Sequence, residues 1–455
     1  MKRLAPGLAM MVAACAGPRV ATAPMAAVQP PSQWRTAVPA GATLEQGWWN
    51  RFGDPALAAL VDRAIVANSD VGIAVARIRD ARAQEALARS ALLPTFDAGA
   101  GVSRARTVNA FGNPSEQTAG QPQVQVAWEA DLFGRLGDQV AAARAGLAAS
   151  EAARDATRLS VAAATASGYI TLRALDARLD VARATLAARA TSLALIRRRT
   201  DAGYSPRLEQ AQAEAEYQAT AQIVPALQLA VTRQENALRL LLGETPGGVA
   251  RGLPLSALVE PPVPAFLPAE LLRRRPDVAQ AEFQLASTDS ALAAARKRFL
   301  PQVRLSASAG AAFSTLLADP ITLWSVGGSI LAPLFEGGRL TAQAESAAAQ
   351  RDLAAFAYRR AALTAFREAD DAMGAVLRTD EQVRVLSAQR DALAEAFRLA
   401  ANRYREGYSP LLEQLDAQRG LLAAELALIQ ARADALSARV TLYQALGGGW
   451  DGLEP

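Results

Sequence analysis

The sequence predicts a mainly α-helical chain with a smaller membrane β part, built by tandem duplication of one unit. Three observations predict this. First, an eight-residue turn occurs twice: Gly203–Gln210 reads GYSPRLEQ and Gly407–Gln414 reads GYSPLLEQ, 204 positions apart. Second, no proline falls between Gln123 and Ser205, or between Leu334 and Ser409. Both stretches are rich in Ala, Leu, Arg, Gln and Glu, the composition of long helices. Third, four short stretches alternate apolar and polar residues with the period of a strand.

The duplication extends well beyond the turn. Asp70-Val71 recurs at Asp277-Val278 and Leu92–Pro94 matches Phe299–Pro301, both 207 positions apart. Arg135 precedes Gly203 by 68 positions, as Arg339 precedes Gly407. Equal internal spacing implies two equivalent units, residues 54–242 and 271–446, joined by a Pro- and Gly-rich segment at 243–270.

The N-terminus reads as an export signal. Lys2 and Arg3 precede an apolar run from Leu4 to Ala14 that is too short to span a bilayer. Residues 1–14 are therefore expected to be removed. Val12-Ala13-Ala14-Cys15 is similar to a bacterial lipoprotein box, in which the cysteine becomes the first residue and carries lipid. The alternative is an ordinary signal peptide with an incidental cysteine. Residues 15–53 form the lipid-anchored N-terminal segment on the first reading. No later stretch has 18 uncharged apolar residues, so no transmembrane helix is expected.

Each unit begins with a helix, roughly Pro55 to Ala91 and Pro276 to Arg298. Strand hairpins follow, at about 94–132 and 301–333. Phe96, Ala98, Ala100 and Val102 alternate with Asp97, Gly99, Gly101 and Ser103. Val124, Val126, Trp128 and Ala130 alternate with Gln and acidic residues. Val303, Leu305 and Ala307 oppose Arg304, Ser306 and Ser308. In the fourth stretch Trp324, Val326 and Ile330 share one face while Ile321 and Leu323 lie on the other. About ten residues is the length a tilted strand needs to cross a bilayer. Two soluble hairpins are the competing reading.

Some 68 residues of helix follow each hairpin, a rod of roughly 100 Å at 1.5 Å per residue. Its surface is rich in Ala, which allows close side-by-side packing. At the turns Gly203 and Gly407 can take the left-handed conformation that ends a helix. Pro206 and Pro410 suit the first turn of the returning helix. Glu209 and Glu413 then sit where the helix dipole favours negative charge. Pro225 should kink or break the first returning helix; the second has no proline. The tail is 447–455.

Composition excludes several functions. The chain has no His and one Cys, so neither a Cys/His zinc site nor a His-based triad can form. A carboxylate-only metal site stays open, but no acidic loop of the Ca2+-binding type is present. Net charge is +4, of which Lys2 and Arg3 contribute two. Arginines interleave with acids along helices, a solvated face rather than a nucleic-acid stripe. No cofactor, phosphate loop or catalytic constellation is expected.

Four strands cannot close a barrel, and open strand edges are not tolerated in lipid. Closure therefore needs several chains: two would supply eight strands and three would supply twelve. The helical hairpins would then continue the pore as a tube.

The chain resembles the TolC-like outer-membrane efflux ducts, in their NodT-type lipoprotein branch. The residues that carry this are WWNRFGDPALAALVDRAIVANSDV (Trp48–Val71), LLRRRPDVAQAE (Leu271–Glu282), PLFEGGRL (Pro333–Leu340), RYREGYSPLLEQLDAQRGLL (Arg403–Leu422) and YQALGGGW (Tyr443–Trp450). The resemblance implies a homotrimer with a twelve-stranded barrel in outer-membrane lipid. It implies an α-helical tunnel through the periplasm, closed at its far tip until a periplasmic membrane-fusion adaptor and an inner-membrane pump of the RND type engage it. It also implies a mixed equatorial belt, assigned to Leu242–Glu270 and the C-terminal end.

Within the tip, Leu412 matches the apolar ring of the closed gate in such ducts and Asp416 the carboxylate ring. Tyr404 matches a tyrosine restraining the closed tip, and Glu209 and Glu413 match acidic positions at the mouth. Two departures stand out. Gln212 is the first-unit counterpart of Asp416, and Ser409 stands where some relatives place a locking Arg. Helix packing at Leu412 and Tyr404, and a solvated or helix-paired carboxylate at Asp416, are the competing readings. The function implied is passive export of small molecules. A type I secretion exit duct and a lipid-anchored coiled-coil scaffold without a pore are the alternatives.

Overall fold

The computed structural model describes residues 26–36, 44–108, 111–264 and 267–452. The expected signal peptide and Cys15 lie outside the described residues. In chain order the elements are α1 (Pro55–Ala67), α2 (Ser69–Ser90), β1 (Thr95–Val108), β2 (Pro114–Ala130), α3 (Arg135–Asp201), α4 (Arg207–Ala221), α5 (Ile223–Leu241), α6 (Pro268–Arg274), α7 (Pro276–Lys297), β3 (Gln302–Ser314), β4 (Ile321–Leu331), α8 (Arg339–Arg405) and α9 (Leu411–Ala445). Short 3-10 turns at Trp48–Phe52 and Leu255–Ala257 complete the set. No helix among the described residues is long and apolar enough to cross a membrane.

The chain divides into two compact units. The first takes in Arg77–Glu151 and Gln280–Arg360, hence all four strands. The second takes in Val28–Ala76, Ala152–Ala279 and the chain from Ala361 onward, hence both GYSP turns. The helices α3 and α8 are 67 residues each and start in the first unit.

The initial helix of the first half is split, contrary to the single helix expected from Pro55 to Ala91. Asn68 is the cause. Its backbone is extended, and its Oδ1 accepts from the backbone N–H of Asp70 at 2.8 Å, so it closes α1 and caps α2. In the second half the extended residue is Arg275, which closes α6 in front of Pro276, since a proline disfavours a helical residue before it. The two break residues also reach equivalent targets. Asn68 Nδ2 donates to Leu241 O at 3.0 Å, and Arg275 Nη1 donates to Ala445 O at 3.0 Å. Each thereby satisfies an orphan carbonyl at the end of a returning helix.

Glycine is required beside both contacts. Gly243 and Gly447 have φ of 66° and 93°. A Cβ there would lie 2.7 Å from Ala67 O and 1.9 Å from Arg274 O, respectively. Duplication at the level of spacing is thus duplication of a packing joint.

The linker is pinned to both helical hairpins by two ion triads of permuted charge. Linker Arg251 bridges Asp176 on α3, at 3.2 Å, and Glu235 on α5. In the second half the arginine moves to the returning helix: Arg439 on α9 holds Asp380 on α8 and linker Glu260, each at 2.8 Å. Asp176 and Asp380, like Glu235 and Arg439, are 204 positions apart.

Asp54 ties the start of the fold to the same belt. It is 2% exposed. Its carboxylate accepts from Ala56 N at 2.8 Å, Leu253 N at 3.0 Å and the Tyr169 hydroxyl at 2.8 Å. Burial, and then the bond to Asp54, push the Tyr169 phenol up to about 12. The first returning helix breaks at Gln222, three residues ahead of Pro225, while α9 runs 35 residues without interruption.

Asp54→Ala leaves two backbone N–H groups and a buried phenol without their acceptor. A loss of about 3 kcal/mol is expected, read as a lowered melting temperature of the purified protein. Tyr169→Phe should cost clearly less, because Asp54 keeps both backbone donors.

Candidate functional site

The four strands form one antiparallel sheet in the order β1-β2-β3-β4. The two hairpins are fused through β2 and β3, where Val124 pairs with Ala309, Val126 with Ala307 and Trp128 with Leu305. The strands are 14, 17, 13 and 11 residues long, longer than the ten or so read from alternation. Pro122 explains the shortfall in β2. A proline inside a strand cannot donate to the ladder and reads as a strand end. Here β2 continues through it, and pairing with β3 lapses at Gln121 and Pro122 before resuming. Gly310 faces this spot, and a Cβ on it would lie 2.3 Å from Pro122 O.

Register sorts the side chains into two faces, although Ile321, Leu323 and Leu331 fall on the polar one. One face carries Phe96, Val102, Val124, Val126, Trp128, Val303, Leu305, Phe313, Trp324, Val326 and Ile330. The other carries Asp97, Gln117, Gln123, Gln125, Arg304, Ser306, Ser308, Ser325 and Ser329. The apolar face is bare: Phe96 is 71% exposed, Trp324 76% and Val326 78%. From Val303 to Phe313 this band runs about 33 Å along the strand, or about 25 Å in height at the tilt of a membrane barrel. On β1 it ends at Arg104 and Arg106. Among the described residues, both outer strands, β1 and β4, have one edge without a partner strand.

In the second unit the two GYSP turns build a helical tip. Gly203 and Gly407 both have φ of 80°. The amides that follow fold back, Tyr204 N to Arg199 O and Tyr408 N to Arg403 O, each at 2.8 Å. Pro206 and Pro410 stand one position earlier than expected, as the extended residue ahead of α4 and α9 rather than inside the first turn. Glu209 and Glu413 lie in those first turns. Glu413 pairs with Arg403 at 3.2 Å. Burial, and then the Glu209 charge, raise the Tyr404 hydroxyl above its ordinary range, while Arg199 opposes the shift.

The packed centre of the tip is Leu193, Ile196, Ala213, Leu411 and Leu415, with Tyr217 and Tyr404 against it. Leu412 is not part of it and is 50% exposed in the single chain. Asp416 is likewise exposed, with Arg419 one helical turn away at 3.5 Å. Gln212 is half-buried beside the packed Ala213, and the Ser409 hydroxyl is buried without a hydrogen-bond partner.

A buried ion pair at the tip escaped the sequence reading. Arg189 on α3 is 4% exposed and meets Glu216 on α4 at 2.9 Å, also donating to Thr220 Oγ1 at 2.6 Å. Glu216 accepts Arg419 of α9 at 3.1 Å, and Arg419 reaches Asp416. Alternating charge thus runs from the first hairpin into the second. Burial pulls the Arg189 guanidinium below its ordinary value, and Glu216 opposes that. One signal was available: Arg189 and Glu216 lie 14 and 13 residues either side of Gly203. Among the described residues no group of three or more His, Cys, Asp or Glu is placed to hold a metal ion.

A family model described as outer membrane efflux protein matches residues 60–244 and 267–448. The toluene efflux pump outer membrane protein TtgC of Pseudomonas putida is 34% identical over 420 residues, covering 90% of this chain and 86% of that one. The pyoverdine export outer membrane protein OpmQ of Pseudomonas aeruginosa is 33% identical over 433 residues, covering 92% and 91%. Among solved structures, the outer-membrane channel OprN superposes with a TM-score of 0.85 at 30% identity, covering 96% of this chain and 100% of that one. The open state of the MtrE outer membrane channel of Neisseria gonorrhoeae also gives 0.85 at 30% identity, covering 96% and 99%.

Glu216→Ala should leave the Arg189 cation buried without a carboxylate, a cost of about 3–5 kcal/mol. Faster hydrogen exchange of the α4 amides would report it. Arg189→Met, which removes the charge and keeps the volume, should be much milder.

Proposed function

We propose that this chain, which belongs to the outer membrane efflux protein family, works as a trimer in which three four-stranded sheets close into one barrel. The chain is the outer-membrane channel of an efflux pump. The observation that carries the trimer is the two-faced sheet with two open edges. In lipid each unpaired backbone N–H or C=O costs several kcal/mol, so β1 of one copy must meet β4 of the next. Three copies of a four-stranded sheet supply twelve strands. The bare apolar face then meets lipid, and the Gln- and Ser-rich face lines water.

The α-helical hairpins of the three copies continue the barrel as a tunnel into the periplasm. At the tip, three copies of Leu412 form an apolar constriction and three copies of Asp416 a carboxylate ring beside it. Exposure of both side chains in the single chain supports this: Leu412 lies outside the packed centre, and Asp416 is exposed beside Arg419. Tyr404, Glu209 and Glu413 hold the closed arrangement around the turns at Gly203, Pro206, Gly407 and Pro410. A periplasmic adaptor and an inner-membrane RND-type pump engage those turns and open the constriction. Cys15 carries the lipid anchor. Export of small molecules rather than secreted proteins fits relatives whose names specify toluene and pyoverdine.

Reconstitution into planar bilayers tests the duct. The unaltered protein should give small, rare currents, and Leu412→Gly with Asp416→Asn should raise conductance severalfold. Silence of both proteins would favour a scaffold without a pore. Cys15→Ser should abolish incorporation of labelled palmitate and leave the barrel's heat resistance on gels unchanged.

A further inference from the structure

In the first unit, where the sheet meets the starts of the two long helices, lies a cleft of about 420 Å³. Four arginines line it: Arg135 opening α3, Arg298 just after α7, Arg304 on β3 and Arg339 opening α8. Their partners are unequal. Arg135 meets Glu129 at 2.7 Å, and Arg339 pairs with Glu336. Arg298 and Arg304 bond only to neutral amides, Gln343 at 2.9 Å and Gln302 at 3.2 Å. Neither makes an ion pair among the described residues, and the acid in register with Arg304, Glu129, is held by Arg135.

Their placement works against the fold. Arg135 and Arg339 are the first residues of 67-residue helices, where the backbone dipole already presents positive charge. An acid follows in the first turn of α3, where Asp138 is held by Lys297 at 2.7 Å, but α8 has none in its first turn. Four convergent cations beside helix N-termini, outnumbering the acids Glu129 and Glu336 near them, are the makings of an oxyanion site. The cleft also stands on the polar sheet face, since Gln302 pairs with Leu331 and Arg304 with Ser329 on that side.

We propose that this cleft binds small polyvalent oxyanions, bearing phosphate or several carboxylates, as they pass through the duct. The assignment rests on the duct reading, which turns the polar face toward water. In the trimer three clefts form a cationic collar where barrel becomes tunnel. The collar favours anionic cargo.

Calorimetric titration of the full-length detergent-solubilised protein with sodium pyrophosphate tests it. Binding should weaken at least tenfold in Arg298→Gln/Arg304→Gln and should fade with added salt. Arg79→Gln, remote from the cleft in sequence and outside its lining, should leave it unchanged. If the double variant fails to assemble on gel filtration, Arg304→Gln alone, at an exposed sheet position, serves with an expected loss of a few-fold. Absence of binding, or equal affinity in the variants, overturns the proposal. Neutralisation of the collar by Asp97 of an adjacent copy would give the first of these results. In planar bilayers, pyrophosphate added on the strand-turn side should reduce current through the Leu412→Gly channel. Current without binding or block refutes the collar alone, whereas no current at all refutes the duct.

Discussion

The unpaired edges of β1 and β4 are the constraint on which the rest of the structure depends. A four-stranded sheet with a bare apolar face cannot remain in water without exposing that face. It cannot enter lipid without stranding the backbone groups of its two edges. Only closure with further copies meets both conditions. The function follows from closure: a barrel with one face of Gln and Ser encloses water.

Duplication supplies what closure needs at low cost in information. One hairpin per unit, repeated, gives a sheet whose halves meet at β2 and β3. One joint, repeated, fixes each returning helix to the start of its own half through Asn68 or Arg275 and a left-handed glycine. The halves are not interchangeable, however. The ion triads around Arg251 and Arg439 exchange charge between linker and returning helix. Arg189 is buried over Glu216, whereas its counterpart Leu393 packs against Gly420. Equal backbones thus carry unequal side chains at equivalent positions.

Much of this was legible in the sequence because the signals are periodic. The 204-residue repeat of the turn, the proline-free rods and the alternation in three of the four strands are all patterns that backbone geometry imposes directly. The readings of Leu412, Asp416 and Tyr404 rest on resemblance alone, since neither exposure nor partial burial on a helix has a local signature. Other features were not legible. Pro122 hid the first half of β2, because a strand that tolerates a lapse in one ladder looks like a turn. Asn68 splits a helix by a local cap on Asp70 N, but its second bond, to Leu241, spans 173 positions, which no window along the chain contains. The Arg189–Glu216 pair and the arginine cleft are tertiary groupings of residues that each read as solvated helix charge.

The most direct measurement is an electron cryo-microscopy map of the protein assembled in lipid nanodiscs. A threefold particle should appear, with twelve strands crossing the disc around a hollow bore. A filled bore, or an isolated subunit whose sheet lies outside the lipid, would contradict the duct.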